Sequence, residues 1–520
     1  MRLPSMYPRP ICWLGLLLAF VAWTPGTLSA QDLASFEKKT TEHVLENGWT
    51  FILVDRDAAP VFSFATFANV GGAQEVPGIT GLAHMFEHMA FKGSQNIGTT
   101  DYEAEAEALE EVEVAYSALQ TARLAGADAD EVDRLQKLFK EKEAAAQEHV
   151  VVNEFGDILD RAGGTGLNAF TNSDFTGYFY SLPANKFELF CYLESERFLS
   201  PVFREFYTER DVVQEERRMR TESQPVGRLV EQFLATAFVA HPYKQPVVGY
   251  MSDLESITAT DAAAFYETYY TPNNMITVLV GDIDVDTAIP LLEKYFGRVP
   301  EGAEPPQLRT IEPPQFAEKT IVLRDPSQPL YAEAYHKPAG TGVDEPVYDA
   351  IDNILSGGRT SRLYRSLVRD KKIALTAGSF SSFPGTKYPT LWIGFAIPAR
   401  GITNEEVREA MRDEIERLKT EEVSDEELDR FKTQAKAGLI RSLQDNQGLA
   451  FNLVQYQTLY GDWRELFRYI DRIDRVTKAD VMRIAKETFQ PTNRTVGMIV
   501  TETAEAVEAP APAAAAEESR

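Results

Sequence analysis

The chain has little cysteine, little histidine and little positive charge. Two cysteines occur in 520 residues, Cys12 and Cys191. Cys12 lies in an N-terminal stretch with Arg2 and Arg9, an apolar run from Ile11 to Trp23, and Leu28-Ser29-Ala30 before Gln31. That pattern is a secretory signal peptide over residues 1–30, and its apolar run is too short to span a bilayer easily. Cleavage would leave Cys191 alone, which excludes an intrachain disulfide. Cys191 sits in the apolar run Phe187 to Leu193 and reads as a buried structural thiol. Export without disulfides is compatible with a bacterial periplasm, with secretion as the alternative. Lys and Arg number 52 against 79 Asp and Glu, a net charge of −27. That balance argues against nucleic acid or an anionic membrane as partner and mildly favours basic peptides.

What is present is an ordinary globular composition, 44% hydrophobic and 11% aromatic, over a length that implies two or more domains. An internal repeat supports two. Ile257-Thr258-Ala259-Thr260-Asp261 and then Thr271-Pro272-Asn273-Asn274 precede the apolar run to Val280. Val476-Thr477-Lys478-Ala479-Asp480 and then Gln490-Pro491-Thr492-Asn493 precede the run to Val500. Both the Asp pair and the Pro pair are offset by 219 residues, so one fold occurs twice. Each half has strands first and helices after, an α+β class with a mixed or antiparallel sheet packed with helices. The expected division is 31–300, a proline-rich linker 301–319 (Pro305-Pro306, Pro313-Pro314), and 320–502. Residues 503–520 are an Ala/Pro/Glu tail expected to be disordered.

Histidine numbers only six, yet two of them form His84-Met85-Phe86-Glu87-His88. Chance would supply about 0.01 such H-x-x-E-H matches. Positions i and i+4 share a helix face, so both imidazoles can meet one metal ion, with the Glu87 carboxylate in the same region. Two histidines and an adjacent base are what a hydrolytic zinc site needs, with one more protein ligand and an open position. Candidates for that ligand lie in the acidic run Thr208 to Arg218. Glu209 and Glu216 share a face two turns apart and Glu215 points about 100° away, so spacing alone leaves the choice open.

With these motifs on the page, the chain resembles the pitrilysin/insulinase (M16) metallopeptidases, in the two-domain type similar to mitochondrial processing peptidase. The resemblance covers about residues 40–502. It rests on Leu45-Glu46-Asn47-Gly48, Gly78 through Gly93, Leu167-Asn168-Ala169-Phe170-Thr171 and the Glu209–Glu216 helix. It implies two homologous domains enclosing a substrate chamber. It implies His84, His88 and Glu216 as ligands of one Zn2+ per chain and Glu87 as general base, with Glu209 behind a ligand. Asn168, Ala169 and Phe170 would lie on an edge strand that binds peptide backbone, and Arg369 of the metal-free second domain would contact substrate. The family's Tyr seven residues after that Arg is Thr376 here, too short and too weakly acidic to act as a phenol does. The implied activity is peptide hydrolysis, with a homologous metal-free partner subunit or a second copy supplying what is missing. The alternative is a non-catalytic scaffold subunit of the same fold.

One segment stands outside the resemblance. Residues 101–158 carry Leu109, Val112, Tyr116 and Leu119, then Val132, Leu135 and Phe139, at helical spacing around Gly126-Ala127-Asp128. They predict an antiparallel helical hairpin over 101–125 and 130–159, inserted between the metal helix and the substrate strand. It reads either as a solvated decoration or as a lid or docking arm.

Overall fold

The computed structural model describes residues 33–502. The segment expected to be a signal peptide and the Ala/Pro/Glu tail lie outside the described residues. Two sheets organise the chain. The first contains β1 (Thr40–Val44), β2 (Thr50–Asp55), β3 (Val61–Ala68), β4 (Thr165–Thr171), β5 (Thr176–Pro183) and β6 (Met275–Gly281), in the order β1-β2-β6-β3-β5-β4. The second contains β7 (Lys319–Asp325), β8 (Leu330–Lys337), β9 (Ala374–Phe383), β10 (Thr390–Pro398) and β11 (Arg494–Thr501), in the order β7-β11-β8-β10-β9. With β1 set aside the two orders are the same. In each sheet one pair is parallel, β2 with β6 and β7 with β11, and the rest are antiparallel. This is the α+β architecture, built twice, that the sequence repeat implies.

The repeat has a local cause. Thr258 and Thr477 each cap a helix, accepting from the backbone N–H of Asp261 and Asp480, whose carboxylates accept in return from the cap residues' own N–H at 2.9 and 3.1 Å. Such boxes satisfy helix-end donors that would otherwise be unpaired. Each helix is followed by a single Pro-initiated turn, Pro272–Asn274 or Pro491–Asn493, and then by a strand buried inside its sheet.

The halves cover one another. The helix Asn446–Tyr460, from the second half, lies across β3 and β6. Its Leu449, Ala450, Leu453 and Val454 join a core with Ile52, Val54, Ala65, Phe67, Val278 and Val280. In return the helix Pro225–Ala237, from the first half, packs on β7 and β11. Gly497 on β11 admits its Phe233 ring, since a Cβ there would stand 2.5 Å from Phe233 Cδ2.

The helical hairpin forms, with helices Tyr102–Leu124 and Ala129–Gln147. The second stops twelve residues short of the predicted end. Val150-Val151-Val152 is a β-branched run disfavoured in helices, Val150 bridges to Thr99, and Asn153 turns left-handed (φ 58°) before a separate helix, Glu154–Ala162. Nor is the hairpin a solvated decoration: Val112, Tyr116, Leu119, Leu135 and Phe139 are buried in the main core of the first half.

Candidate metal centre

The metal helix is short, Leu82–Met89, and its entry is tightly built. Gly81 precedes it with φ 96°, where a side chain would be strained and its Cβ would meet the Val248 carbonyl at 2.9 Å. Two carboxylates hold the approach. Glu75, 2% exposed, accepts from the N–H groups of Gly81 (2.8 Å) and Ala83 (2.7 Å) at the helix N-terminus. Burial pushes the Glu75 carboxyl up to about 8, against the lowering effect of those two bonds. Asp253 accepts from Gly78 N–H (3.0 Å), Thr80 N–H (3.2 Å) and the Thr80 hydroxyl (2.6 Å).

The second element is the acidic helix Phe206–Arg217. It brings Glu216 Oε2 to 3.5 Å from His84 Nε2 and 3.3 Å from His88 Nε2. Donors about 2.0–2.1 Å from a tetrahedral ion lie about 3.3–3.4 Å apart, so these separations fit a Zn2+ held by two imidazoles and one carboxylate. Among the described residues this is the one group of three His, Cys, Asp or Glu whose donor atoms converge in this way. Glu215 pairs instead with Arg218 at the surface, and Glu209 takes the other nitrogen of His88, with Oε2 3.3 Å from Nδ1. Burial lowers His84 to about 4, while the Glu209 hydrogen bond raises His88. The other Glu216 oxygen is paired with Arg220, which is largely exposed beside the cluster.

Glu87 projects from the same helix and is half-buried. Desolvation raises its pKa, and a hydrogen bond from the Thr171 hydroxyl opposes the rise. Thr171 ends β4, and its hydroxyl also lies 3.4 Å from the Ala83 carbonyl. β4 is the edge of its sheet and pairs on one side only, Asn168 opposite Phe179, Ala169 opposite Tyr178 and Phe170 opposite Gly177. Residues 165–168 are exposed, Ala169 is buried, and Phe170 packs against Phe67 and Phe451. An unpaired edge anchored beside the metal cluster can take an extended chain by strand addition.

Arg369 is not brought to this cluster by any contact among the described residues. It sits on the π-helical turn Tyr364–Asp370, exposed, with its guanidinium on Asp370 at 2.7 and 3.0 Å. Thr376 is exposed on β9, the edge of the second sheet. Cys191 is buried and free, its thiol pushed far up by burial. Sequence reasoning passed over Glu75, Asp253, Lys92 and Arg220. Lys92 and Arg220 each lie four residues from a predicted ligand, which was the available signal.

Comparison with known proteins completes the picture. The model described as "Insulinase (Peptidase family M16)" matches residues 51–141, and that described as "Peptidase M16 inactive domain" matches residues 256–435. The chain belongs to the M16 family. It is 28% identical over 491 residues to a protein named zinc protease PqqE from Helicobacter pylori, covering 93% of this chain and 97% of that one. A solved Helicobacter pylori protease is similar in fold, with a TM-score of 0.75, 27% identity, and coverage of 89% of this chain and 99% of that one. The periplasmic protease PqqL from Escherichia coli has the same fold, with a TM-score of 0.66 at 17% identity; 92% of this chain matches 49% of that one. Among the described residues no helix is long and apolar enough to cross a membrane.

Proposed function

We propose that the chain is an exported zinc metalloendopeptidase acting on peptides or unfolded segments. The observation that carries this is the convergence of His84, His88 and Glu216 beside Glu87, at the end of an unpaired sheet edge. His84, His88 and Glu216 would hold the ion. Bound zinc supplies Lewis acidity, lowering the pKa of water towards about 7 and polarising a carbonyl. Glu87 takes the attacking water's proton on its carboxylate and returns it to the leaving amine. Asn168, Ala169 and Phe170 hold the substrate backbone in the extended form. Glu209 fixes the orientation of His88 through Nδ1.

A homologous metal-free partner subunit, or a second copy of this chain, completes the site. Thr376 lacks the reach of a phenol, and Arg369 is occupied with Asp370. The length of PqqL, about twice the stretch matched here, supports a working unit of two such chains. The same two residues favour a second reading, a non-catalytic scaffold subunit.

The test is zinc content and peptide hydrolysis by the mature chain, alone and with a candidate partner, beside Glu87→Gln. One zinc per chain in both proteins, with cleavage lost only in the variant, is the expected result. Zinc binding in both with no cleavage under any pairing would establish the scaffold reading.

A further inference from the structure

The inserted hairpin is docked on the helix that carries Glu209 and Glu216. Tyr116 of its first helix packs at a tilt against Tyr207 with ring centroids 4.3 Å apart, and Arg210 lies over the Tyr116 ring. Glu113 accepts from the Tyr207 hydroxyl at 2.5 Å. Two polar chains run from the hairpin towards the metal helix. In one, Glu105 of the hairpin, fully buried, pairs with buried Arg204 at 2.7 Å, and Arg204 donates to the carbonyls of Lys92 (2.7 Å), Ser94 (2.8 Å) and Ile97 (2.6 Å) just beyond that helix. In the other, Gln147, the last residue of the hairpin, donates to Glu205 Oε1 at 3.2 Å. Glu205 Oε2 is 2.9 Å from Lys92 Nζ, Lys92 Nζ is 2.6 Å from Glu209 Oε1, and Glu209 Oε2 is 3.3 Å from His88 Nδ1.

Glu205 is also strained. It caps the acidic helix in the left-handed region, φ 57° and ψ 19°, where a residue with a side chain is uncommon and persists only if its surroundings hold it. Lys92 and Gln147 grip both of its carboxylate oxygens. Lys92 is half-buried between two carboxylates, and its charge offsets the repulsion between Glu205 and Glu209 that would otherwise act on the Glu209 contact with His88.

We propose, resting on the zinc reading above, that the hairpin is a positioning element for the metal centre and that Lys92 is the positioning residue through which it acts. The hairpin and the Glu205 cap place Lys92; Lys92 places the Glu209 carboxylate; Glu209 sets which way His88 presents Nε2. This gives the insertion a task in the affinity for the metal, where a lid would act on substrate access.

Zinc dissociation constants, from competition with a chromophoric chelator, and visible spectra of the cobalt-substituted protein test this on the full chain. Lys92→Met is expected to weaken zinc by about 10- to 100-fold and to alter the cobalt bands. Lys92→Arg, keeping the charge, restores most of the affinity. Glu205→Gln and Gln147→Leu weaken binding less, and Lys92→Met costs less in the Glu205→Gln background than in the wild type, as members of one network do. If Lys92→Met fails to melt cooperatively, Glu205→Gln, which retains hydrogen bonding, carries the test. Folded variants that bind zinc as tightly as the wild type, with unchanged cobalt spectra, would overturn the relay. A wild-type chain that binds no zinc would overturn the metal-centre reading itself.

Discussion

Glu209 Oε2 faces His88 Nδ1 at 3.3 Å, on the side of the ring away from the convergence point. An ionised carboxylate only accepts, so Nδ1 donates to Glu209, an arrangement that would leave the Nε2 lone pair for a metal ion bound at Glu216. Glu209→Gln presents an amide that can rotate its donor towards Nδ1 and loses the negative charge. Zinc affinity should fall by about 10- to 100-fold with the fold intact, read as the dissociation constant beside an unchanged melting curve.

Glu75 should leave a mark on stability against pH. Its folded-state pKa of about 8 is above its ordinary 4.5, so the folded protein favours the protonated form. The stability this contributes is complete below about pH 4.5 and is lost as pH rises to about 8, at up to about 1.4 kcal/mol per pH unit. Glu75→Gln removes the titration. Urea midpoints at pH 5, 6, 7 and 8 should therefore fall less steeply for the variant than for the wild type.

Arg204 and Glu105 are both buried, 1% and 0% exposed. Glu105→Gln leaves the guanidinium with its three carbonyls and no counter-charge. Breaking a buried pair on one side costs about 3–5 kcal/mol. The urea midpoint should drop accordingly, and replacing both residues with apolar ones should cost less than the single change.

Gly497→Ala puts a methyl group 2.5 Å from Phe233 Cδ2. Overpacking of this kind costs about 1–3 kcal/mol. Pairing it with Phe233→Leu should recover part of the loss in chemical denaturation, because the two positions share one space.

The approach of His84 to His88 and the doubled fold were legible because each follows from local spacing. His84 and His88 meet because a helix turn makes them meet, and Thr258 with Asp261 caps a helix wherever the chain goes next. The division of labour between Glu209 and Glu216 was not legible without the family resemblance. Both lie on one face, and which of them meets Nε2 depends on how the acidic helix crosses the metal helix, a tertiary fact. The hairpin helices were readable from Leu109, Val112 and Tyr116. Their partner was not, since Glu105 looks like a surface residue until Arg204 stands opposite it, and nothing in the spacing of Tyr116 names Arg210 and Tyr207 as its neighbours. Arg369 shows the converse: a motif match places a residue on the chain, but its exposed pairing with Asp370 is fixed by local geometry that the motif does not encode.

The crossed helices have a consequence for how the molecule comes apart. With Asn446–Tyr460 over the first sheet and Pro225–Ala237 over the second, each half has a core of its own but relies on the other to cover part of its sheet. A cut in the proline-rich connection would not liberate two stable pieces. It would strip Ile52, Val54, Ala65, Phe67, Val278 and Val280 of their cover and leave an adhesive apolar wall. Although the sequence is a duplication, its two copies have become mutually obligate, and denaturation should proceed as one concerted event.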